Sequence, residues 1–555
     1  MSKTTVPPWL SLAAALAAAV FSTSPARAAD GAAPTPEPAT AAAAVAAAVD
    51  EAVARYGLPG IAVGVVVGGE VVQVELRGET IVGSGDPVGS DTLFKVASNT
   101  KAMTAALLAR QVDAGLLAWD DPVVKHLPGF RMREDWVTRE MQVRDLLIHN
   151  SGLGPGAGDL MLWPEPNSFT REDVVAGLAH LQPRWSFRSR YAYDNTLYIV
   201  AGEVAAAAGG APFDVLLRRE VFEPLGMEGC RIGEWRLDSA PGVAAPHLRG
   251  EGGWLPRGDG DVVADMPMAA AGGVRCGLDD MLRWVRAWLD PRTPGADGRP
   301  WLSAAQREAA WTAHMPMPLT QRMREWNRSH FSAYGYGWRL SDVDGTSKVA
   351  HTGTLSGMYS AVTLLPELDA GFVILINGSA GEARTVLEQS LSKIFTAGGD
   401  AGHGGAAAHA GSGLVAHYAG LLDAERARAG AAAADRGGEG AGAPQARRAV
   451  AAADVAGLPG RYRDPWFGEV RICRADGGLR FESRKSPRLS GPVLRAGDRM
   501  LVDFDTLGAD ADAWLDFAPG APGRPARLAM AKVDPEADFS YDYEDLAFER
   551  IGDCD

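Results

Sequence analysis

The sequence predicts an α+β protein in which one sheet has a helical insertion beside it and a small all-β unit follows. Three observations support this prediction. Residues 61–67 and 71–77 are rich in valine and flank Gly68-Gly69-Glu70, which indicates a β-hairpin. Helical periods dominate the middle of the chain, and extended segments return after residue 335. Short strands at regular spacing occupy roughly the last hundred residues, a pattern that favours a small barrel or sandwich.

The elements of the first unit follow in order along the chain. An Ala-rich segment at 41–56 predicts a helix ahead of the hairpin, and from about residue 98 to 180 the apolar period is helical. Extended character then marks 336–340, 348–354, 358–366 and 371–377, before an amphipathic helix at 382–395. Strands at both ends with helices between them predict a single sheet assembled from both ends of this region.

The composition changes at 396–448 to Ala, Gly and scattered Arg. Residues 414–428 could form a helix, but 429–444 is low-complexity sequence without the apolar residues needed for a core, so the segment is interpreted as a linker. Asp476-Gly477-Gly478 then predicts a hairpin turn. The strands predicted in the tail are 469–473, 479–482, 500–504, 513–517, 528–533 and 545–550.

Composition and charge restrict the class of partner. The chain has 555 residues, 46% of them hydrophobic and 22% charged, which is ordinary for a globular protein. Lys and Arg number 54 against 69 Asp and Glu, so the formal net charge is −15. A negative surface repels phosphates, and this argues against nucleic acid as the main partner.

The N-terminus predicts export. Lys3 precedes an apolar run, Leu10 to Phe21, and Ala26-Arg27-Ala28 is a small-x-small cleavage site, which together indicate a signal peptide at 1–28. An uncleaved anchor helix is the alternative. Residues 29–41 are interpreted as a linker, and the mature chain is expected to be periplasmic or secreted, with no membrane span. Its net charge is −17, because 1–28 contain two basic residues and no acid.

Four cysteines remain in the mature chain, and an oxidising compartment permits disulfides. Four cysteines allow three pairings, among which the sequence does not choose. One hypothesis joins Cys230 with Cys276 and Cys473 with Cys554; four free thiols are the alternative. The paired CxxC spacing of a zinc site is absent.

The first candidate for chemistry is Ser98-Asn99-Thr100-Lys101, an S-x-x-K tetrad between an extended segment and a helical run. Residues three apart share a helix face, so Lys101 can reach the Ser98 hydroxyl and activate a weak nucleophile. A helix-capping serine with an exposed lysine is the alternative interpretation. GxSxG, P-loop, HExxH and GxGxxG motifs are absent from the sequence.

Two later segments add to this tetrad. Tyr193 and Asn195 lie in a loop that enters a predicted helix, and a tyrosine can act as a base only if cations such as Lys101 depress its pKa. His351-Thr352-Gly353-Thr354 is a predicted strand whose glycine would let a substrate backbone lie close. A helix cap with a packed tyrosine, and a strand-end turn, are the alternatives.

The order S-x-x-K, Y-x-N and H-T-G resembles the serine hydrolases grouped with class C β-lactamases and DD-peptidases, over residues 42–395. The tail, 449–552, resembles the lipocalin-like domain attached to some members. Landmarks of the hydrolase are 146–153, 224–227, 272–273 and 334–338, and those of the tail are 460–462, 468–470 and 538–543. The resemblance implies an antiparallel sheet flanked by helices, an all-helical subdomain and a C-terminal barrel.

The resemblance also implies a mechanism. Ser98 would attack a carbonyl and form an acyl-enzyme, while Lys101 and Tyr193 transfer its proton. The backbone N–H groups of Ser98 and Thr354 would form the oxyanion hole, and Asn195 would hold the substrate amide. No metal or organic cofactor is implied.

The substrate is less constrained than the mechanism. The resemblance assigns substrate binding to Asn195 and also to His351, Thr352 and Gly353. Class C β-lactamases usually carry lysine where His351 stands. Histidine is cationic only when it is protonated, near its reference pKa. Relatives with histidine include DD-carboxypeptidases, D-aminopeptidases and esterases, so the prediction is a peptidase that accepts D-residues. An esterase, a β-lactamase and a non-catalytic binder are the alternatives, and homo-oligomerisation stays open. His149, His247 and His314 occur singly and are interpreted as loop or capping residues.

Overall fold

The computed structural model describes residues 38–554 apart from 259, 296, 397–412, 436–445, 451–454, 456, 476, 506–510 and 521–525. The predicted signal peptide, 1–28, and most of the predicted linker 29–41 lie outside the described residues. So does Asp476 of the predicted hairpin turn, although strands flank it on both sides.

The first unit is built around an eight-stranded antiparallel sheet in the order β2-β1-β14-β13-β12-β11-β10-β9. β1 pairs with β14, residue 61 opposite residue 376, so the two ends of the region meet as predicted. The strands of this unit are β1 (Gly60–Val67), β2 (Glu70–Gly78), β3 (Phe94–Lys95), β4 (Trp235–Arg236), β5 (His247–Gly250), β6 (Gly253–Pro256), β7 (Val262–Val263), β8 (Arg275–Cys276), β9 (Met315–Pro316), β10 (Ser332–Tyr334), β11 (Arg339–Val343), β12 (Thr346–Leu355), β13 (Met358–Leu365) and β14 (Ala370–Ile376).

Most of the α-helices among the described residues lie between β2 and β9. The α-helices are α1 (Pro38–Tyr56), α2 (Thr100–Asp113), α3 (Val123–His126), α4 (Asp135–Glu140), α5 (Arg171–Gly177), α6 (Thr196–Gly209), α7 (Phe213–Leu217), α8 (Ala269–Gly272), α9 (Leu278–Leu289), α10 (Ala304–Ala310), α11 (Gln321–Glu325), α12 (Gly381–Thr396) and α13 (Leu414–Asp435). No single helix among the described residues is long and apolar enough to cross a membrane; the bent pair Thr196–Gly209 and Phe213–Phe222 meets that criterion only as a pair.

Both faces of the sheet are covered, which explains why β1 and β14 are apolar along almost their whole length. α1, α12 and α13 form one apolar core with one face. On the other face, Leu282 and Val285 of α9 approach Gly64 of β1 and Gly371 of β14.

The segment interpreted as a linker contains more structure than its composition indicated. α13 buries Val415, Tyr418, Ala419 and Leu422 in the core that α1 and α12 share. The described part of 396–448 therefore includes a packed helix, because four apolar side chains on one helix face are enough to anchor an otherwise Ala-rich segment.

The predicted strand at 336–340 differs from the structure. β10 ends at Tyr334 and β11 begins at Arg339, so a turn occupies the start of the predicted strand. Gly337 has a positive φ of 76°, and a Cβ there would lie 2.7 Å from the α2 backbone at Ala102. The turn packs directly on the helix that carries Lys101, a contact that strand periodicity does not reveal.

The tail forms a closed antiparallel barrel in which each strand pairs with the next and β23 closes on β16. Its strands are β15 (Arg448–Ala449), β16 (Gly460–Asp464), β17 (Gly468–Ala475), β18 (Gly478–Ser483), β19 (Ser490–Ala496), β20 (Arg499–Val502), β21 (Ala513–Ala518), β22 (Arg527–Lys532) and β23 (Ala547–Gly552). Strands were not predicted at β16 or β19, whose glycine, arginine and proline residues weaken the alternation. β15 adds to β19 outside the closed ring.

Two disulfides, Cys230–Cys276 and Cys473–Cys554, are those of the first hypothesis. The barrel also packs on the first unit, residues 38–396 and the helix α13. Phe467 lies 5.7 Å from Phe169 between ring centroids, and Lys485 Nζ lies 2.7 Å from the Asp173 carboxylate.

Candidate active site

Ser98 lies in a short 3₁₀ turn, Ala97–Asn99, immediately before α2. Ala97 has a positive φ of 50°, a conformation that costs a non-glycine residue on the order of 1–3 kcal/mol and persists only where the surroundings impose it. The Asn99 amide donates to Ser360 Oγ at 2.8 Å, and Ser360 Oγ donates to the Val96 carbonyl at 2.7 Å. These bonds from β13 hold the turn and leave Ser98 half-exposed.

The side chain of Lys101 is fully buried, and its Nζ has three neighbours. Asn195 Oδ1 at 2.7 Å and the Ala271 carbonyl at 2.8 Å can only accept, so each takes an N–H. Ser98 Oγ is the third neighbour, at 3.1 Å. A neutral amine in this position directs its lone pair at the Ser98 hydroxyl, which is the arrangement a general base requires.

The charge state of Lys101 favours that role. Burial lowers its pKa to about 7; Asp159 and Asp194 oppose this effect and Arg339 adds to it. Near pH 7 a substantial fraction of the lysine is therefore neutral and able to accept the Ser98 proton.

Tyr193 also contacts the nucleophile, since its hydroxyl donates to Ser98 Oγ at 2.9 Å. Burial raises its pKa well above the ordinary value of 10, and Arg339 only partly opposes this effect. The condition for Tyr193 to act as a base, a pKa depressed by nearby cations, is not met in this geometry, because desolvation of the phenolate outweighs their attraction. A neutral Tyr193 donates to Ser98 Oγ, which leaves the serine proton directed at Lys101.

Both polar groups of the Asn195 side chain have hydrogen-bond partners within the protein. Its Oδ1 accepts from Lys101, and its Nδ2 donates to Asp159 Oδ2 at 2.8 Å. The residue is 4% exposed, and in this geometry its amide contacts Lys101 and Asp159; its expected contact with a substrate amide stays a prediction. Asp159 is fully buried, and burial raises its pKa to about 8. No motif in the sequence marked it.

The His351 ring is enclosed by protein groups. Its Nδ1 donates to the Thr352 carbonyl at 2.8 Å, so Nε2 accepts from the Tyr334 hydroxyl, also at 2.8 Å. The ring is 1% exposed, and burial together with Arg339 and Lys101 lowers its pKa well below 6.5. Both ring nitrogens are bonded to the protein in this geometry, and the expected contact of His351 with a substrate stays a prediction.

Gly353 also has a role different from the expected one. A Cβ at this position would lie 2.2 Å from the Val96 carbonyl and 3.0 Å from Ala97 Cβ. The glycine therefore lets β12 pack against the turn that carries Ser98, and the close neighbour is protein instead of substrate. This packing brings the backbone of Thr354 towards the nucleophile; its oxyanion-hole role with Ser98 stays a prediction.

Two arginines that the sequence analysis did not single out flank β12. Arg339 Nη1 on β11 donates to Thr352 Oγ1 at 2.9 Å, and its guanidinium lies 5.7 Å from the centre of the Tyr193 ring. Arg384 Nη1 on α12 donates to the Gly353 carbonyl and to Thr354 Oγ1, both at 2.8 Å. Side chains of neighbouring elements thus supply the positive charge that His351 lacks.

His149 belongs to the site, although its isolated position in the sequence indicated a loop or capping residue. It is 1% exposed and has a positive φ of 58°. Its ring centroid lies 4.3 Å from that of Tyr193 and 4.6 Å from that of Tyr334. Its Nδ1 accepts from the Asp194 backbone at 3.2 Å, so it supports the segment that carries Tyr193 and Asn195. Only its place in the landmark 146–153 could have indicated this.

The fold, with a serine, a buried lysine and a tyrosine in mutual contact, is that of a serine hydrolase. A family model described as Beta-lactamase matches residues 45–393, and the chain belongs to this family. Penicillin-binding protein 4 of Amycolatopsis lactamdurans is 30% identical over 58% of this chain and 82% of its own length. D-alanyl-D-alanine-carboxypeptidase/endopeptidase AmpH of Escherichia coli is 23% identical over 58% of this chain and 80% of its own length.

Two further comparisons extend this result. Esterase EstB of Burkholderia gladioli is 27% identical over 60% of this chain and 90% of its own length. The octameric penicillin-binding protein homologue from Pyrococcus abyssi superposes with a TM-score of 0.53 at 18% identity, over 90% of this chain and 98% of that one. The structural match supports the fold over nearly the whole chain, including the barrel.

Proposed function

We propose that the protein is an exported peptidase that cleaves peptides containing D-amino acids through an acyl-enzyme on Ser98. The observation that carries the proposal is the position of Lys101, whose Nζ lies 3.1 Å from Ser98 Oγ while two pure acceptors take its N–H groups. Both the DD-carboxypeptidase and the D-aminopeptidase type are consistent with this site.

The reaction follows from the contacts. Ser98 Oγ attacks the scissile carbonyl and its proton passes to the neutral amine of Lys101. The carbonyl oxygen becomes an oxyanion, for which the N–H groups of Ser98 and Thr354 are the proposed donors. The resulting ammonium returns the proton to the leaving amine as the C–N bond breaks. Water then attacks the acyl-enzyme by the same route and releases the acid.

The charges beside β12 favour a substrate with a free carboxyl end, as in the DD-carboxypeptidase type. Arg339 bonds Thr352 and Arg384 bonds Thr354, so two guanidiniums border the strand along which a peptide would lie. Charge-assisted bonds between guanidinium and carboxylate are strong and directional. The AmpH relative, a D-alanyl-D-alanine-carboxypeptidase/endopeptidase, is consistent with this assignment.

Other observations bear on export and on the alternatives. Two disulfides in one chain favour an oxidising compartment, and this supports export. An esterase would use the same residues on an oxygen leaving group, and the EstB relative favours that reading as the second candidate. A β-lactamase and a non-catalytic acylating sensor follow it.

The test uses short peptides that differ only in D or L configuration, each with a free or amidated carboxyl end and a free or acetylated amino end. Products are identified by mass. We expect cleavage of D-containing members with a free carboxyl end, whatever the state of the amino end. Cleavage that requires a free amino end would assign the D-aminopeptidase type. Hydrolysis of simple esters with every peptide intact would replace the peptidase by an esterase.

Two variants make this test specific. Ser98→Ala should abolish turnover, whereas Ser84→Ala, at an exposed loop serine, should leave it unchanged. Arg339→Gln should raise the KM for a free-carboxyl peptide by about tenfold or more, since hydrogen bonds to charged groups contribute roughly 1.5–3 kcal/mol. A simple ester is the matched substrate, because it depends on the same Lys101 but offers Arg339 no charge.

A further inference from the structure

A loop of the C-terminal barrel reaches the catalytic site. Residues 538–543 lie between β22 and β23, and three side chains of this loop, those of Phe539, Ser540 and Asp542, contact the hydrolase unit. The Phe539 ring lies 5.8 Å from that of Tyr193 and packs against Gly156. The Ser540 side chain interacts with the Asp159 carboxyl group. Asp542 follows two residues later and is 2% exposed.

Asp542 binds the backbone on both sides of Asp159. One of its carboxylate oxygens accepts from the Gly158 N–H at 2.6 Å, and the other accepts from the Leu160 N–H at 3.1 Å. A carboxyl group whose two oxygens each receive a backbone N–H holds that peptide segment at two points. The residue between these two donors is Asp159, so its side chain projects from a backbone that the barrel holds.

From Asp159 the contacts continue to the nucleophile without a gap. Asp159 Oδ2 accepts from Asn195 at 2.8 Å, Asn195 accepts from Lys101 at 2.7 Å, and Lys101 lies 3.1 Å from Ser98 Oγ. Every member except Ser98 is at most 4% exposed, so water does not replace a displaced partner. The barrel loop also reaches the Tyr193 side of the site, because Phe539 packs against Gly156, whose N–H donates to the Tyr193 carbonyl at 2.8 Å.

We propose that Asp542 of the barrel is a positioning residue for Lys101: it fixes the backbone around Asp159, and Asp159 holds the Asn195 amide that accepts from Lys101. The barrel is therefore a component of the active site. The inference rests on the proposed function, since it assumes that Ser98 is acylated with Lys101 as the base. Displacements of about 1 Å in such a set can reduce a rate by up to a hundredfold.

The test measures inactivation of the full chain by a fluorophosphonate, which reacts with an activated serine whatever the natural substrate. Asp542→Asn keeps the shape of the side chain but turns an amide N–H₂ towards a backbone N–H. We expect the maximal rate of inactivation to fall about tenfold or more, with the half-saturating probe concentration unchanged. Loss of a merely structural contact would lower thermal stability without changing the rate for the folded fraction.

Asp464→Asn is the matched control. Asp464 is another buried barrel carboxylate that accepts backbone N–H groups, from Trp466, Phe467 and Ala547, and none of these lies in the catalytic site. Both variants lose the same type of hydrogen bond, so a lower inactivation rate for Asp542→Asn alone would be due to the contacts of Asp542 with the catalytic site. Equal rates for the two folded variants would overturn the proposal.

A double-mutant cycle tests whether Asp542 acts through Asp159. If it does, Asp542→Asn lowers the inactivation rate of the parent chain but does not lower that of an Asp159→Asn variant any further. If Asp542 acts independently of Asp159, the substitution lowers the rate by the same factor in both chains. Ser540→Ala provides a second variant of the same loop should Asp542→Asn not fold, and its inactivation rate should also fall; a rate equal to that of the parent would count against the proposal. Absence of labelling at Ser98 in the parent chain would instead remove the proposed function.

Discussion

Lys101 has a fully buried amino group whose neighbours act on it in opposite directions. Burial and Arg339 favour the neutral amine, while Asp159 and Asp194 favour the ammonium, and the balance gives a pKa of about 7. Because the folded site has both forms available near neutrality, one residue can accept the Ser98 proton and return it later in the cycle. Tyr193, whose pKa is raised well above 10, supplies a hydrogen bond at the same pH.

The pH dependence of acylation should report this lysine. Below its pKa of about 7 the ammonium cannot accept a proton, so the rate of Ser98 labelling should rise with pH and level off above that value. The measurement is the labelling rate between pH 5 and 9. A rate that is constant over this range would contradict the assignment of Lys101 as the base.

Arg339→Gln gives the matched control for the pH profile. Arg339 lowers the pKa of Lys101, so its removal should raise that pKa and move the rising limb to higher pH. A limb that moved to lower pH, or stayed in place, would show that Arg339 does not act on Lys101 in this way.

At the scale of elements, the geometry of the candidate site depends on how closely β12 approaches the turn before α2. Gly353 allows this approach, because any side chain there would meet the Val96 carbonyl at 2.2 Å and Ser360 Oγ at 2.4 Å. The same strand carries Thr352 and Thr354, whose hydroxyl groups accept from Arg339 and Arg384. A change in the distance between strand and turn would therefore alter the nucleophile and the charged border together.

Gly353→Ala should separate these two elements. Overpacking of this kind costs roughly 1–3 kcal/mol in the free energy of unfolding, and displacement of the strand should lower the labelling rate by about tenfold or more. Thermal unfolding and phosphonate labelling measure the two effects. A variant with parental rate and stability would show that the strand can move without loss.

Gly420→Ala is the corresponding glycine control. Gly420 lies exposed on α13, where a Cβ meets no atom within 4 Å. Alanine in a helix is favoured over glycine by up to about 1 kcal/mol, so this variant should be as stable as the parent or more stable, with unchanged labelling.

At the scale of the whole molecule, each unit has its own disulfide. Cys230–Cys276 spans a sequence separation of 46 residues within the hydrolase unit, and Cys473–Cys554 spans 81 within the barrel. The second bridge joins β17 to the end of the chain across β16, which lies between β17 and β23. It therefore fastens the closure of the barrel whose loop reaches Asp159.

Loss of the barrel disulfide should destabilise that unit. For loops of this length, removal of a bridge typically costs about 2–4 kcal/mol, mainly because the unfolded chain gains freedom. A Cys473→Ser/Cys554→Ser variant should unfold at a lower temperature than the parent, as followed by calorimetry. Because the barrel supports the site, labelling of Ser98 should be lost together with the barrel and not after it; a barrel that melts while labelling continues would contradict the coupling.

Many features of this molecule could be predicted from local sequence pattern. The hairpin at the start, the late strands, the S-x-x-K spacing that places Ser98 and Lys101 within one turn, and most barrel strands depend on neighbours in sequence, so the chain itself reveals them. The order of the motifs indicated the family, and the two disulfides followed one of the pairings left open. The packed helix α13 was understated, because its apolar face is short within an Ala-rich segment.

The remaining features depend on residues that are far apart in the chain. A neutral His351, a Tyr193 with a raised pKa and an Asn195 with both amide groups occupied all result from burial, and burial is set by what packs around each side chain. Asp159 and Asp542 are 383 positions apart and meet only because the barrel docks on the hydrolase unit. Sequence pattern thus indicated the proposed nucleophile and its proposed base, whereas tertiary packing set their surroundings and brought the barrel to the site, since desolvation and long-range contacts have no local signature.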